Sequence, residues 1–374
     1  MRMIFRRALI RELTINATYV FVVLVAILMT QFIVRLIGQA SSGALPTDGL
    51  LPLVGFRLLS QLAPLIVIAV FISTLLTLSR GWRDSETPIW MSAGQSLLAW
   101  IRPVLSFAVP LLLIAATLSL ILSPWADRKT VEFRRILDAR DDLAVLAPGL
   151  FQERRRDKQV FFIESTDLVR GSIKNVFVFS DDPSGAWVTR AKEGFVQQDE
   201  RGDRFVILES GKRVRRSGID AAPTEYELAR FDRYGVRMNA AEVRDDPLEE
   251  RATDTMTLIE RGTPTAHGWV FYRLSIPIAG LLLTLLAIPL AYVNPRMGRS
   301  MNLILAILLL MITLNLLNIV QAKIGTQSIG LVAALLLFHG ALAASVIAFY
   351  YRRYRGAVGV FPALFSRRAE KAST

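Results

Sequence analysis

The chain has 374 residues, 52% of them apolar, a formal net charge of +12 and no cysteine, so it can form neither a disulfide nor a thiolate metal site. The pI near 10.3 does not indicate a nucleic-acid partner, because the basic excess is unevenly placed. Residues 125–262 hold 25 Lys+Arg against 27 Asp+Glu, a net of −2, and the remaining segments carry a surplus of +14.

A helix needs about 20 apolar residues to cross ~30 Å of hydrocarbon. Backbone groups at that depth must pair within the chain, which leaves helix as the form for such a run. Six runs qualify, at 14–37, 53–79, 101–123, 269–293, 301–322 and 328–351. Prolines 64, 110, 277 and 289 fall inside them, which neighbouring helices can accommodate. The first run is too long for a signal-peptide core and lacks a small-x-small end, so it is expected to remain as a span.

Basic clusters set the orientation. Arg2, Arg6, Arg7 and Arg11 precede the first span, and Arg80, Arg83 and Arg102 flank the loop between the second and third. Arg296 and Arg299 occupy the turn between the fourth and fifth, and Arg352, Arg353, Arg355, Arg367, Arg368 and Lys371 follow the sixth. With six spans all of these share one side, which the positive-inside rule makes cytoplasmic, together with both termini. The long segment between spans three and four is then exterior, which in a bacterium with two membranes is the periplasm.

That segment begins with an amphipathic stretch at 126–146, where Val131, Phe133, Ile136, Leu137, Leu143 and Leu146 recur at helical spacing. After Pro148 and Gly149 the period changes to two. Strands are predicted at 159–164, 175–180, 186–190, 194–198, 204–209, 212–216 and 225–238, with a hairpin turn at 199–203. Short strands at this spacing point to a β-sandwich, jellyroll or partly open barrel. The domain layout is therefore 1–125, a first transmembrane half; 126–262, an all-β, jellyroll-like domain with a flanking helix; and 263–374, a second transmembrane half with a basic tail.

No phosphate-binding G-x-x-x-x-G-K-[ST] motif and no G-x-S-x-G elbow occurs. His267 and His339 lack ligand-spaced partners, and the Asp pairs at 141–142, 181–182 and 245–246 sit in polar stretches where solvation explains them. An enzyme is not expected.

Two features can carry function. In the cytoplasmic segment 81–100, Ser85 as N-cap, Glu86 in the first turn and Pro88 suit a helix start. Ile89, Trp90, Ala93, Leu97 and Trp100 then form a stripe at helical spacing. Such a helix, over about 84–100, can lie on the bilayer or dock into a groove of a cytoplasmic partner. Secondly, Arg35, Arg57, Arg273 and Lys323 lie near the outer ends of four spans, where the positive-inside rule does not put them. Each can snorkel to headgroups, or together they can bind a shared anion, for which guanidinium is well suited through bidentate contact with phosphate.

Over nearly its whole length the sequence resembles the LptF/LptG permease family of lipopolysaccharide exporters. Residues 6–12 lead into span one and Arg35-Leu-Ile-Gly38 closes it. Residues 83–96 (RDSETPIWMSAGQS) are similar to the family's coupling segment, with Glu86 followed by Ala93, Gly94 and Ser96. The stretch 289–299 (PLAYVNPRMGR) is similar to the family's P-L-S-x-V-N-P-R-x-G-R turn, with Ala291 where Ser is usual. Residues 149–152 and 162–165 look closer to the LptF branch than to LptG.

The resemblance implies a six-span permease with a periplasmic jellyroll in the inner membrane. It would pair with an LptG-type subunit, an LptB-type ATPase dimer that uses ATP and Mg, and an LptC-type subunit. The complex would extract lipopolysaccharide and pass it to an LptA-type bridge toward the outer membrane. Glu86, Trp90, Ala93 and Gly94 would couple to the ATPase, and this chain would bind no cofactor itself. A permease for another lipid or for lipoproteins, and a membrane scaffold with a β ectodomain, are the competing readings.

Overall fold

The computed structural model describes residues 2–41, 50–92, 96–144, 148–154, 159–167, 172–182, 185–198, 204–216, 226–239, 247–292 and 301–354. The chain divides into two compact units, a helical one formed by 1–31, 54–129 and 247–374, and a strand-bearing one formed by 32–53 and 130–246.

The long helices are α1 (Arg2–Ser41), α2 (Leu50–Arg83), α4 (Ile101–Thr117), α8 (Pro264–Leu290), α9 (Met301–Gly325) and α10 (Leu331–Tyr354). Short helices α3 (Glu86–Ser92), α6 (Pro247–Ala252) and α7 (Thr255–Arg261) join them, and α4 continues through a π turn at Leu118–Leu122 into α5 (Ser123–Ala144). Among the described residues, six helical stretches are long and apolar enough to cross a membrane, matching the six runs in the sequence. The four prolines lie within α2, α4 and α8 as expected.

α8 is the hub of the helical unit. Its Phe271, Ile276, Leu283 and Leu286 are buried with Val67, Phe71 and Leu75 of α2 and Val104, Phe107 and Leu112 of α4. Gly280 makes this approach possible, since a Cβ there would stand 2.8 Å from Leu112 and 2.9 Å from Val67. Without a hydrophobic drive between helices in lipid, such close backbone packing is what holds spans together. α1 is different. Only 11% of its apolar window is buried, against 61% for α2 and 67% for α8, and α9 and α10 reach 22% each. Lipid or another membrane chain must cover those three helices.

The strand-bearing unit carries one antiparallel sheet with its strands in chain order: β1 (Phe151–Arg154), β2 (Gln159–Asp167), β3 (Ser172–Asp182), β4 (Gly185–Gln198), β5 (Arg204–Arg216) and β6 (Tyr226–Asn239). The jellyroll-like domain thus takes the form of a six-strand meander, with β1 and β6 as its edges. Two strands expected at 186–190 and 194–198 are one continuous β4, and those at 204–209 and 212–216 are one β5. β1 was not read from the sequence. It is four residues long, and Phe151 stacks on Phe162 of β2 at 4.6 Å.

The merged strands share a crease. Ile173, Gly194, Leu208 and Tyr234 pair in one row across β3–β6, and Val176, Ala191, Gly211 and Phe231 in another. The rows are three residues apart, yet residues of both join or pack against the buried cluster. Strict alternation would put them on opposite faces. Asn175 and Ser210, at φ +49° and +52°, absorb the half-turn within the crease. The sheet folds there over Phe161, Ile163, Val178, Val206 and Val236. Glycine is required at the fold: a Cβ on Gly194 would stand 2.7 Å from the Ile207 carbonyl, and one on Gly211 would collide with the Phe231 ring.

Gly211→Ala is therefore expected to displace Phe231 and destabilise the sheet by about 1–3 kcal/mol. Limited proteolysis of the full chain should show earlier cleavage within 150–240 for this variant. Gly235→Ala, whose new Cβ meets Ile207 at an ordinary 3.4 Å, should behave as wild type. Equal protection of the two variants would contradict the crease.

Candidate functional site

The feature expected at 81–100 is organised by a single guanidinium. Arg80, in the last turn of α2, donates from Nε and Nη2 to the two oxygens of Glu12 in α1, at 2.5 and 2.8 Å. Its Nη1 also donates to Asp84 at 3.0 Å and to Glu86 at 3.1 Å. Three carboxylates on one planar fork fix the start of α3 relative to α1 and α2. Asn16 adds a bond from its Nδ2 to Thr77 Oγ1, at 2.7 Å.

Ser85 does not cap α3. Its φ is +58°, whereas an N-cap residue is extended, and its N–H donates to the Trp82 carbonyl at 3.3 Å. It is the left-handed residue that ends α2 and reverses the chain. Nor does one helix run from 84 to 100: α3 ends at Ser92, Ser96 is irregular, and a single 3₁₀ turn at Leu97–Trp100 leads into α4. The expected stripe is split by this break. Trp90 and Leu97 pack against the core and Trp100 is buried within it, while Ile89 and Met91 point outward, Ile89 being 65% exposed. Ala93 and Gly94, the other two residues expected to couple, lie outside the described residues, as do Arg296 and Arg299.

The cations expected at the outer ends are placed differently from one another. Arg35 belongs to the strand-bearing unit, where it is exposed beside Leu36, which packs with Leu53, Phe133 and Leu137. The other three belong to the helical unit. Lys323, in the last turn of α9, is exposed and forms no ion pair among the described residues. It lies level with the start of α8, because Gln321 abuts Gly268 and Gly325 abuts Thr265.

Arg273 departs from the expectation of an exposed helix-end cation. It is five residues deeper in α8 than Gly268, roughly 7 Å along the axis, and is only 4% exposed. Its Nη1 donates to Thr255 Oγ1 at 2.7 Å, and its Nη2 to the carbonyls of Arg251 at 3.0 Å and Thr253 at 2.8 Å. Thr255 Oγ1 in turn donates to the Leu120 carbonyl at 2.7 Å, inside the π turn, and Ser119 Oγ donates to the Arg273 carbonyl at 3.0 Å. Arg273 thus ties the segment before α7 to the top of α4. A charge this deep is stable only with such partners.

Asp127 joins the rest. It is 4% exposed and accepts from Arg251 Nε at 2.8 Å, with Arg57 Nη1 at 3.8 Å from its other oxygen. Arg128 beside it pairs with Asp254 through two bonds of 2.9 and 3.0 Å. Arg57, Arg251 and Arg273 therefore surround one buried carboxylate and keep a net positive charge. A cavity of about 30 Å³ lies among Ser60, Ser119, Asp127, Tyr272 and Arg273, enough for one or two waters. Sequence reasoning missed Asp127, Arg251 and Thr255. The available signal was an acid directly after an apolar run, in Trp125-Ala-Asp127, with Arg251 at the point where the chain returns.

Removing Asp127 leaves Arg251 uncompensated. Asp127→Ala is expected to cost about 3 kcal/mol, read as a lowered melting temperature of the detergent-solubilised chain, and adding Arg251→Leu should recover part of the loss. A double variant no more stable than the single one would show that the two residues are not coupled.

Comparison with known proteins was made against this geometry. The sequence matches the family described as "Lipopolysaccharide export system permease LptF/LptG" over residues 7–352. It is 27% identical to the "Lipopolysaccharide export system permease protein LptF" of Escherichia coli (strain K12) and to that of Shigella flexneri, over 82% of this chain and 83% of each relative. With a family match that runs from the first span through the sixth, the chain belongs to the LptF/LptG family of lipopolysaccharide export permeases.

Proposed function

We propose that the chain is the LptF-type permease subunit of an ABC exporter that extracts lipopolysaccharide from the inner membrane and delivers it toward the outer membrane. The observation that carries this reading is α3, a short helix clamped to α1 and α2 through Arg80 with Ile89 and Met91 turned outward. An apolar knob tied to the ends of two spans is what a partner needs to move those spans. The sequence has no nucleotide-binding loop, so ATP and Mg belong to a partner ATPase of the LptB type, and Glu86, Trp90, Ala93 and Gly94 form or support the coupling segment. The uncovered apolar faces of α1 and α9 fit an LptG-type second permease.

Both termini are cytoplasmic in this reading, by the distribution of arginine, and the β-meander is periplasmic. Its open edges and apolar interior suit strand addition to β domains of LptC-type and LptA-type partners and cover for acyl chains. Arg35, Arg57 and Lys323 contact the phosphates of the lipid. Arg273, whose donors are engaged within the protein, supports the site from below by holding Arg251 in place.

Ile89→Asp, on an exposed position that supports no core packing, should reduce co-purification of the ATPase subunit several-fold while the chain still inserts. Glu86→Lys should uncouple hydrolysis from export by placing a cation against Arg80. Normal export and normal complex yield in both variants would reject the coupling assignment.

Charge reversal tests the lipid site. A charge-assisted hydrogen bond is worth about 1.5–3 kcal/mol, so Arg57→Glu or Lys323→Glu alone should weaken export modestly and the pair severely. Photocrosslinkers at 35, 57 and 323 should capture lipopolysaccharide, and one at 273 should not. Capture at none of these three positions would leave them as side chains that snorkel separately to headgroups.

A further inference from the structure

A second cavity lies at the opposite end of the helical unit. It is a cleft of about 760 Å³ between the start of α4 and the end of α10, with Leu97, Ile101, Leu285, Val346 and Ile347 among its walls. This size falls in the range of pockets that hold a small ligand. One wall is an aromatic and cationic stack. Trp82 and Tyr292 meet edge to face at 4.8 Å, and the Arg353 guanidinium lies 3.0 Å from the Tyr292 ring centroid and 5.7 Å from that of Trp82. The stack orients Arg353 without neutralising it, and no carboxylate is among the described lining residues. Arg353 Nη2 and Tyr350 Oη are both enclosed and have no hydrogen-bond partner among the described residues.

The occupant follows from these features. Most of the walls belong to the end turns of helices that can cross a membrane, which puts the cleft at the level of the headgroup layer, within reach of a lipid. Arg353 is its one charged group among the described lining residues, with Ser96, the hydroxyls of Tyr292, Tyr350 and Tyr351 and the Trp82 indole as further polar groups, and the remaining walls are apolar. This division matches an amphiphile with an anionic head. Aromatic side chains with arginine are the usual composition of the headgroup layer, and basic pockets between spans on the cytoplasmic side take anionic lipid heads. We propose that this cleft binds one anionic phospholipid of the cytoplasmic leaflet, its phosphate on Arg353 Nη2 and Tyr350 Oη and an acyl chain along Leu97, Ile101 and Val346. The leaflet rests on the orientation proposed above; the site does not. A resident lipid here would link the loop that carries α3 to the last span, so the leaflet's charge would bear on coupling.

The test uses the full chain in its purified complex, in phosphatidylcholine nanodiscs that contain phosphatidylglycerol with a photoreactive acyl chain. Label should map to peptides containing residues 97–101 and 346–351. Unlabelled phosphatidylglycerol should compete about tenfold better than phosphatidylcholine, because both carry the phosphate but the choline cation of the latter offsets that charge and is repelled by Arg353. Arg353→Gln with Tyr350→Phe should abolish that preference, and Val346→Trp should reduce labelling by filling the cleft. Equal competition by the two lipids, label confined to other spans, or crosslinks from position 353 to residues 355–374 in place of lipid would overturn the proposal. Because the chain has no cysteine, single cysteines introduced at 328 and 372 report sidedness independently with an impermeant maleimide. An inverted result there with labelling intact would move the lipid to the other leaflet and refute the orientation, while the site would stand.

Discussion

A charge carried into hydrocarbon has no solvent to hold it, and the structure at one end of the helical unit answers that constraint. Arg273 lies about two and a half turns into α8, from its start at Pro264. It is stable there because the carbonyls of Arg251 and Thr253 and the Thr255 hydroxyl close on it. Those acceptors are available because the chain turns back above them before entering α7. The bond from Thr255 to the Leu120 carbonyl uses a group inside the π turn, and such turns occur where a helix ladder is interrupted by an outside partner. One buried cation thus ties together the π turn, the start of α7 and α8 within the helical unit.

At the other end Arg80, 39% exposed, is held by ion pairs instead. It gathers Glu12, Asp84 and Glu86, all acidic, so this end is tied by charge where the Arg273 end is tied by backbone dipoles. The difference has a functional consequence. A fork shared by three carboxylates, each half-exposed or nearly so, can exchange partners at modest cost, since exposed pairs are worth little. The buried Arg273 cage has no such freedom. The Arg80 end is therefore the one whose ties can rearrange, and the Arg273 end the one whose ties do not.

The inserted domain has its own constraint. A flat six-stranded sheet would expose one apolar face. The crease through Gly194 and Gly211 folds the meander over its own interior and makes a concave, apolar lining without a second sheet.

The sequence by itself determined the six spans and the inserted all-β domain, because hydrocarbon thickness and the need for internal backbone pairing act on composition and run length alone. It also marked Glu86, Trp90, Arg57 and Lys323 as residues in unusual places. Tertiary structure decided what those residues touch. Ser85 reads as a cap until its positive φ shows the chain reversing. Strands β4 and β5 read as two each, since a crease breaks the period of two just as a turn does. Asp127 and Arg251 are 124 residues apart, and nothing local to either predicts their pairing. Arg273 looks like Lys323 in sequence, a cation near a span's outer end; only the packing of the re-entrant segment makes one a buried tie and leaves the other exposed. Composition and periodicity are local properties, whereas burial and partner choice depend on which distant segments fold against them.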